Sequence, residues 1–531
     1  MIQLKDLSFS YLKSDGSKVS ETPQLNNVNL SINSGEFVLV CGPTGSGKST
    51  FLKALNGLAP SFTGGVIEGE LIIDGVNLIG LEPHEFASKV GYVNQQPENA
   101  FVGDTVIDEI VYCAEQLGLP VSEIKSSVEK ISALLEISDL LERPLATLSG
   151  GQQQRVAIAS ALVAGQKTLL LDEPTSALDL QGASEVLRVL QRLSSEEGVT
   201  VLLAEHRISR VIAAVDSVLV VHGDGSVTKG PTATQFNDSR FAPPIIELGL
   251  KLGWKPLPVS TISANKKWTE TKPHFIAKTP FAPSEEVLRV QNLEVNFGSV
   301  EALQSTSFTL QGNQITALMG ENGSGKTTLC WAIQGSGSRT KGSVITSKGE
   351  TAELSSNERL EVITMVPQRA ADLLFLSTLS AELEESDRFA DVDPGSTAKL
   401  FKSLAGRIDT SIHPRDLSAG QQLSLVLAIQ LVKQAKILIL DEPTRGLDYS
   451  AKHALAKQLN SIRSADRSVL IATHDIEFVA MVSDRVLVLE EGKMITDSTP
   501  IEVLGAGSKF ASQLAEISNE PGLISLEQVQ L

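Results

Sequence analysis

The chain has 531 residues, of which 42% are apolar and 20% are charged, and its net charge is −18 at pH 7. This length exceeds what one hydrophobic core normally serves and predicts two to four domains. The negative charge argues against broad nonspecific binding to nucleic acid. Three widely spaced cysteines argue against a disulfide scaffold or a zinc site. Because we find no signal pattern and no apolar run of about 18 residues, we expect any membrane role to depend on a partner.

A glycine-rich motif, GPTGSGKST at 42–50, follows a predicted buried strand at 37–40 and precedes a predicted helix. A strand, a glycine-rich turn and a helix that opens with Lys-Ser form a phosphate cradle. Glycines let the backbone wrap around an anion, and the N–H groups at the helix start face the phosphates. We expect Lys48 to reach the β- and γ-phosphates and Ser49 to supply a hydroxyl to Mg²⁺. The predicted cradle consists of Gly42, Gly45, Gly47, Lys48, Ser49 and Thr50.

Further motifs follow in the first half, most of them at the ends of predicted strands. They are Gln95, LSGGQQQR at 148–155, the strand TLLLDEP at 168–174 with Asp172 and Glu173, ALD at 177–179, and the strand VTVLLAEHR that ends in His206 and Arg207. Between about 235 and 284 prolines, lysines and aromatic residues mix without a clear period, which predicts a linker holding one short helix.

The second half repeats the first. The cradle lysines lie 278 residues apart, and the serines and glutamates of the later motifs lie 269 apart. A repeat this long is a duplicated domain, since solenoid periods run about 20–50 residues. The second cradle follows an apolar run at 315–319 and consists of Gly320, Gly323, Gly325, Lys326, Thr327 and Thr328. The later motifs are Gln368, LSAGQQLS at 417–424, the strand ILILDEP at 437–443 with Asp441 and Glu442, GLD at 446–448, and His474.

Hydrolysis of a γ-phosphate needs a cradle, Mg²⁺, a polarised water and stabilisation of transition-state charge. Each aspartate at a strand end is expected to hold Mg²⁺ through its water shell. The glutamate that follows can take the proton from the attacking water. The alternative for such a pair is a solvated turn. Each histidine could hydrogen-bond the γ-phosphate, and each glutamine could contact metal and water; single residues of these types are more often structural. The predicted metal ligands are Ser49, Gln95, Asp172, Thr327, Gln368 and Asp441.

One aromatic residue stands at the same place in each half, Tyr11 in the first and Phe297 in the second. An aromatic side chain before the cradle could stack on a nucleobase, an interaction worth about 1–3 kcal/mol. The alternative is an aromatic residue of an edge strand. We favour stacking because of its place relative to the cradle.

The order of cradle, glutamine, LSGGQ, DEP, ALD or GLD and histidine resembles the nucleotide-binding subunit of ABC transporters, twice over. The resemblance implies an ATPase that uses ATP and Mg²⁺. It implies an α/β fold of two tandem P-loop domains, each with a mostly parallel sheet, an antiparallel β subdomain and a helical signature subdomain. In that family two such domains pack head to tail. The first cradle would then close against Ser418, Gly420 and Gln421, and the second against Ser149, Gly151 and Gln152.

A narrower resemblance lies in QPENAFVGDTV at 96–106 and ADLLFLSTL at 371–379. Both are similar to segments of the ATPases of energy-coupling factor (ECF) transporters, which import vitamins and transition-metal ions. The resemblance implies an integral membrane coupling subunit, a membrane substrate-binding subunit and a peripheral place on the cytoplasmic face of the membrane. We expect Phe101 or Val102, and Leu374 or Phe375, to contact the membrane partner.

Two alternatives remain, a conventional sugar or peptide importer and a soluble tandem ABC protein that acts on ribosomes; the acidic charge argues against the second. The second signature departs from the pattern, because Ala419 replaces a glycine and Ser424 replaces the arginine seen at Arg155. The predicted domains are 1–235 and 286–505, with a linker at 236–285 and a weakly ordered or helical tail at 506–531.

Overall fold

The computed structural model describes residues 1–12, 16–176, 178–236, 241–278, 282–406, 408–463 and 466–530. The chain divides into two compact units, Met1–Ser260 and Thr261–Leu531. Ala177 of the predicted ALD motif and the side chain of Ala419 lie outside the description. No helix in the described ranges combines the length and apolarity that crossing a bilayer requires.

The first unit alternates strands and helices after an initial pair of strands. Its strands are β1 (Ile2–Ser10), β2 (Leu25–Ile32), β3 (Phe37–Cys41), β4 (Val66–Ile73), β5 (Val76–Asn77), β6 (Val90–Val93), β7 (Thr168–Asp172), β8 (Thr200–Ala204), β9 (Ser217–Val221) and β10 (Val227–Gly230). Its helices are α1 (Lys48–Leu55), α2 (Leu58–Ser61), α3 (Pro83–Ala87), α4 (Val106–Gln116), α5 (Val121–Leu134), α6 (Gly150–Leu162), α7 (Leu180–Ser195), α8 (Ile208–Val211), α9 (Thr232–Gln235) and α10 (Pro244–Lys251).

These strands form two sheets. The larger has the order β10-β9-β3-β8-β7-β6 and is parallel except for the pair β9 and β10. Every residue of β3, β7 and β8 is buried, as expected for a parallel sheet covered on both faces. The smaller sheet is antiparallel, in the order β2-β1-β4-β5. The carboxyl ends of β3, β7 and β8 therefore meet at one edge, where ligands bind in open α/β sheets.

The second unit repeats this plan. Its strands are β11 (Glu286–Phe297), β12 (Val300–Gln311), β13 (Ile315–Met319), β14 (Lys341–Thr346), β15 (Gly349–Glu350), β16 (Ile363–Val366), β17 (Ile437–Asp441), β18 (Ser468–Ala472), β19 (Arg485–Glu490) and β20 (Lys493–Ser498). Its helices are α11 (Thr261–Thr271), α12 (Lys326–Gln334), α13 (Ser356–Val362), α14 (Leu379–Ala390), α15 (Ser396–Ala405), α16 (Ala419–Leu431), α17 (Tyr449–Ser461), α18 (Ile476–Val482), α19 (Pro500–Leu504) and α20 (Gln513–Ser518).

The sheet orders of the second unit are β12-β11-β14-β15 and β16-β17-β18-β13-β19-β20. The second sheet is parallel except for β19 and β20. A helical region, α14 to α16, leaves the sheet after β16 and returns at β17, as α4 to α6 do in the first unit. The predicted fold class is confirmed in both units.

The described residues of the segment 236–285 include two helices, α10 and α11, so the prediction of one short helix was wrong. The tryptophan of α11, Trp268, is buried, and helix α20 of the tail also packs in the second unit. The side-chain amide of Asn265 donates to the carbonyl of Ile517 at 2.7 Å, and Phe275 forms an isolated antiparallel β-bridge with Val529. These contacts attach residues 261–278 and the tail to the second unit, whereas α10 belongs to the first.

Candidate active sites

The glycine-rich loops follow β3 and β13 and lead directly into α1 and α12. A Cβ atom at Gly42 would lie 2.2 Å from the carbonyl oxygen of Val221, and one at Gly320 would lie 2.2 Å from that of Leu489. Any other residue would therefore displace the loop. The ammonium groups of Lys48 and Lys326 each lie over their own loop, 3.0 Å from the carbonyl oxygens of Gly42 and Gly320.

Each loop also holds a serine that the sequence analysis did not select. Ser46 and Ser324 are buried, and their hydroxyls have no hydrogen-bond partner within the described part of the chain. A buried polar group without a partner is costly. These two hydroxyls, in loops that lead into helix N-termini, thus fit an anion such as a phosphate.

A hydroxyl and a carboxylate meet beside each loop. Ser49 donates to Asp172 Oδ1 at 3.1 Å, and in the second unit the hydroxyl of Thr327 is close enough to lower the pKa of Asp441. Burial raises the pKa of Asp172 and raises that of Asp441 to about 6. Asp441 Oδ1 is buried and accepts no hydrogen bond from the described residues. Paired hydroxyl and carboxylate oxygens are the hard donors that Mg²⁺ prefers, so these residues fit the ion.

The glutamates after β7 and β17 have an unusual backbone. Glu173 has φ 52° and Glu442 has φ 49°, in the left-handed region that costs non-glycine residues of order 1–3 kcal/mol. Their N–H groups donate to Ala204 at 2.9 Å and Ala472 at 2.8 Å, which fixes each turn to the neighbouring strand. Strain of this kind clusters at functional sites.

The carboxylate of Glu173 contacts the side chains of two other predicted site residues of the first half, His206 and Gln95. His206 Nε2 lies 2.9 Å from Oε1, and Gln95 Nε2 donates to Oε2 at 2.8 Å. In the second unit His474 Nδ1 lies 2.8 Å from Glu442 Oε1. Gln368 is exposed, and within the described ranges it forms no side-chain hydrogen bond. The structure therefore brings together glutamine, glutamate and histidine in the first unit, but only glutamate and histidine in the second.

The residue before each histidine was missed as a site residue, although its difference between the halves is visible in AEHR against ATHD. Glu205 is buried, 1% exposed, and Thr473 is fully buried. Thr473 donates from its hydroxyl to Glu442 Oε2 at 3.2 Å. Glu205 instead accepts a hydrogen bond from Thr175.

The two predicted base-stacking residues differ in their surroundings. The hydroxyl of Tyr11 lies 2.8 Å from that of Thr50 in the first cradle, and its ring meets Phe9 edge to face at 4.8 Å. Phe297 ends β11 and is 53% exposed. Both stay candidates for stacking.

The two signature motifs form helix N-termini. Ser149 and Gln152 make a capping box at the start of α6, and Ser418 and Gln421 make the same box at the start of α16. Arg155 donates to the carbonyls of Leu135 and Glu136 at the end of α5. Ser424 instead donates to the carbonyl of Gly420 in its own helix, so this departure concerns packing of the helical region.

A groove of about 350 Å³ lies beside the segment that follows Gln95, lined among others by Tyr92, Phe101 and Cys113. Val102 on this segment is 64% exposed, and Phe375 in the second unit is 77% exposed. Leu374 is only 1% exposed and belongs to the core of the helical region. Of the two alternatives Leu374 and Phe375, the structure therefore leaves Phe375 as the candidate contact, because the side chain of Leu374 fills that core.

Comparison with known proteins gives the family. The model of the family described as ABC transporter matches residues 25–176 and 303–445. The chain belongs to this family. A candidate ABC transporter ATP-binding protein of Streptomyces coelicolor is 38% identical over 100% of this chain and 99% of its own length. One of Methanosarcina mazei is 30% identical over 95% and 90%.

Among solved structures, this ABC protein resembles the archaeal ribosome recycling factor aABCE1, solved in complex with the ribosomal stalk protein aP1. The TM-score is 0.58, with 22% identity over 93% of this chain and 90% of the other. At this identity the likeness concerns the fold alone. The chain is a tandem ABC ATP-binding protein, with one ABC domain matched in each unit.

Proposed function

We propose that this chain is the ATP-hydrolysing subunit of an ECF-type importer for a vitamin or a transition-metal ion. The observation that carries the ATPase part is the meeting of five groups at one sheet edge in the first unit. Each of these groups either lies at or just after the carboxyl end of β7 or β8 or begins the helix that follows β3. They are Lys48, Ser49, Asp172, Glu173 and His206. The corresponding groups meet in the second unit.

Each group has a distinct role in the proposed reaction. The loop N–H groups and Lys48 bind the phosphates of ATP, and Ser49 and Asp172 would hold Mg²⁺, which neutralises developing charge on the phosphates. Glu173 accepts the proton of the attacking water. His206, 2.9 Å from that carboxylate, orients it and can reach the γ-phosphate. Lys326, Thr327, Asp441, Glu442 and His474 take these roles in the second unit.

In this proposal each ATP site is completed by the signature motif of the other half. The place of both signatures at helix N-termini supports it, because the positive end of a helix dipole favours phosphate. The first cradle would use Ser418, Gly420 and Gln421, and the second Ser149, Gly151 and Gln152.

The ECF assignment depends on the segments 96–106 and 371–379. Val102 and Phe375 are exposed apolar residues on these segments. Their backbones are held firmly, since Glu109 accepts from the N–H of Val102 at 2.8 Å and Glu382 accepts from that of Leu376 at 2.7 Å. A fixed loop that presents an apolar side chain suits a docking partner. We propose an integral membrane coupling subunit as this partner, with a second membrane subunit that binds the substrate.

A conventional sugar or peptide importer remains the alternative. The two differ in the membrane proteins that they require, so affinity purification from detergent-solubilised membranes tests the choice. The ECF proposal expects a coupling subunit and a separate substrate-binding membrane protein. Co-purification of two similar permeases would contradict the ECF proposal. Co-purification of ribosomes without any membrane protein would also contradict it.

The ATPase proposal is tested by the double variant Glu173→Gln and Glu442→Gln. We expect ATP binding to persist and turnover to fall by about 10²–10⁴, the usual loss on removing a general base. The matched control replaces two exposed glutamates of the helical regions, Glu123 and Glu384, by glutamine and should leave turnover unchanged. Unchanged turnover in the active-site variant would remove both glutamates from the mechanism.

A further inference from the structure

We propose that Glu205 is a positioning residue that makes the two units unequal. Glu205 forms its hydrogen bonds with groups other than Glu173, so the carboxylate of Glu173 can accept from the amide of Gln95. This hydrogen bond connects the segment after Gln95 to the candidate general base in the first unit. Thr473 takes the same place in the second unit and contacts Glu442 itself. The functional meaning of this connection rests on the proposed ATPase role of Glu173, whereas the hydrogen bond between Gln95 and Glu173 does not depend on that role.

The first unit shows Glu205 satisfied entirely by other donors. Its Oε1 accepts from the N–H groups of His206 at 2.9 Å and Arg207 at 3.0 Å, and its Oε2 accepts from the hydroxyl of Thr175. Thr175 stands two residues after Glu173 and is fully buried. Glu205 thus joins the turn after β8 to the turn after β7 without contacting Glu173.

The second unit has the complementary arrangement. Thr473 donates to Glu442 Oε2 at 3.2 Å and accepts from the N–H of Asp475 at 3.1 Å. Thr444, the counterpart of Thr175, has a buried hydroxyl with no hydrogen-bond partner among the described residues. The hydroxyl lacks a partner because Thr473 bonds to Glu442 and Asp475 instead.

The chemistry of the two side chains explains the difference. An ionised carboxylate only accepts hydrogen bonds, so Glu205 cannot donate to a second carboxylate and is repelled by it. A threonine hydroxyl can both donate and accept. Residue 205 therefore leaves Glu173 Oε2 for the Gln95 amide, at 2.8 Å. Residue 473 occupies the equivalent oxygen of Glu442, and Gln368 lies exposed.

This arrangement predicts different responses of the two partner-facing segments. Movement of the segment that carries Val102 would pull on Glu173 through Gln95. Movement of the segment that carries Phe375 would leave Glu442 in place. The first unit would therefore receive the signal of the membrane partner at its general base.

The test is hydrogen–deuterium exchange of the full chain without nucleotide. In Glu205→Thr, a hydroxyl replaces the carboxylate and competes for Glu173, so amides of 95–103 should exchange about threefold to tenfold faster, the effect of one net hydrogen bond. Amides of 368–376 should not change. The conservative Glu205→Gln keeps an acceptor oxygen for the two N–H groups and turns its amide N–H toward the hydroxyl of Thr175, so it should stay within twofold of the unmodified chain.

Unchanged exchange at 95–103 in Glu205→Thr would overturn the proposal, as would an equal rise in Glu205→Gln. Should Glu205→Thr fail to fold, Gln95→Leu provides the second measurement, since Gln95 is exposed. It should raise exchange at 95–103, whereas Gln368→Leu should leave 368–376 unchanged; equal effects would refute the inequality. Because no nucleotide is present, these results are independent of whether Glu173 and Glu442 catalyse hydrolysis.

Discussion

Thr175 donates a hydrogen bond to the buried carboxylate of Glu205, thirty residues further along the chain. The hydroxyl of Thr444 at the same place in the second unit has no such partner within the described residues. Thr175→Val should therefore lower the free energy of unfolding of the first unit by about 1–3 kcal/mol, since a buried acceptor loses its donor.

The matched variant Thr444→Val should change the free energy of unfolding of the second unit by less than about 0.5 kcal/mol, or stabilise it, because it removes an unsatisfied hydroxyl. Differential scanning calorimetry of the full chain measures both. Equal destabilisation by the two valines would contradict the difference between the units.

Charged substitutions at Val102 and Phe375 should uncouple transport from ATP hydrolysis. Both side chains are well exposed, so Val102→Glu and Phe375→Glu should leave folding and basal ATPase activity unchanged while transport by the assembled complex falls. Val121→Glu, on the exposed start of α5, is the control and should transport normally. Normal transport by the two test variants would refute the docking assignment and weaken the ECF proposal.

Leu374→Ala should instead act on stability. Its side chain packs in the core of the helical region of the second unit, where truncation of a leucine costs about 2–5 kcal/mol. We expect a lower melting temperature of the purified chain, measured by calorimetry. A variant that melts normally but fails to transport would restore Leu374 as a partner contact.

The two ATP sites should differ in rate. The first cradle is proposed to close against LSAGQ, where Ala419 adds a Cβ that a glycine lacks. Glu442→Gln, which disables the site with the regular signature, should therefore lower steady-state turnover of the assembled complex more than Glu173→Gln. Equal residual rates, or a slower Glu173→Gln enzyme, would refute the assignment.

A reciprocal pair sharpens this comparison. Ala419→Gly in the Glu442→Gln background should raise the residual turnover. Gly150→Ala in the Glu173→Gln background should lower it, since a Cβ at Gly150 would lie only 3.2 Å from a methyl group of Leu178. If neither substitution changes the residual turnover, the alanine in the second signature is not the cause of the rate difference.

The stability of the second unit should depend on pH through Glu477. Burial raises the pKa of this carboxyl to about 7, Asp475 and Glu516 add to the effect, and Lys452 opposes it. The pKa in the folded chain is thus above the value of about 4.3 in an unfolded chain. The contribution of Glu477 to stability is fully present below about pH 4.3 and is lost as the pH rises through 7.

Glu477→Gln should remove this dependence. The amide oxygen can still accept from the N–H of Gln513, which now donates to Glu477 at 2.7 Å. We expect the variant to be more stable than the unmodified chain at pH 8, by about 3–4 kcal/mol, and about equal at pH 4.5. A constant difference across this range in denaturant titrations would show that Glu477 does not titrate there.

Much of this molecule could be predicted from local sequence. The cradles, the Asp-Glu pairs and the histidines stand directly before or after buried strands, so the meeting of parallel strand ends brings them together. Glu205 could not be selected, because its partner Thr175 lies on another turn and only the adjacency of β7 and β8 joins them. Leu374 and Phe375 are neighbours of similar character, and only the packing of the helical region distinguishes them.

The left-handed backbone at Glu173 and Glu442 has a consequence for directed evolution of this protein. Glycine would adopt this conformation without the Cβ penalty that glutamate incurs, a difference of about 1 kcal/mol per site. A library selected for heat resistance alone should therefore enrich glycine at both positions and return robust proteins without activity. The same screen run under selection for transport should retain both glutamates and find its gains elsewhere.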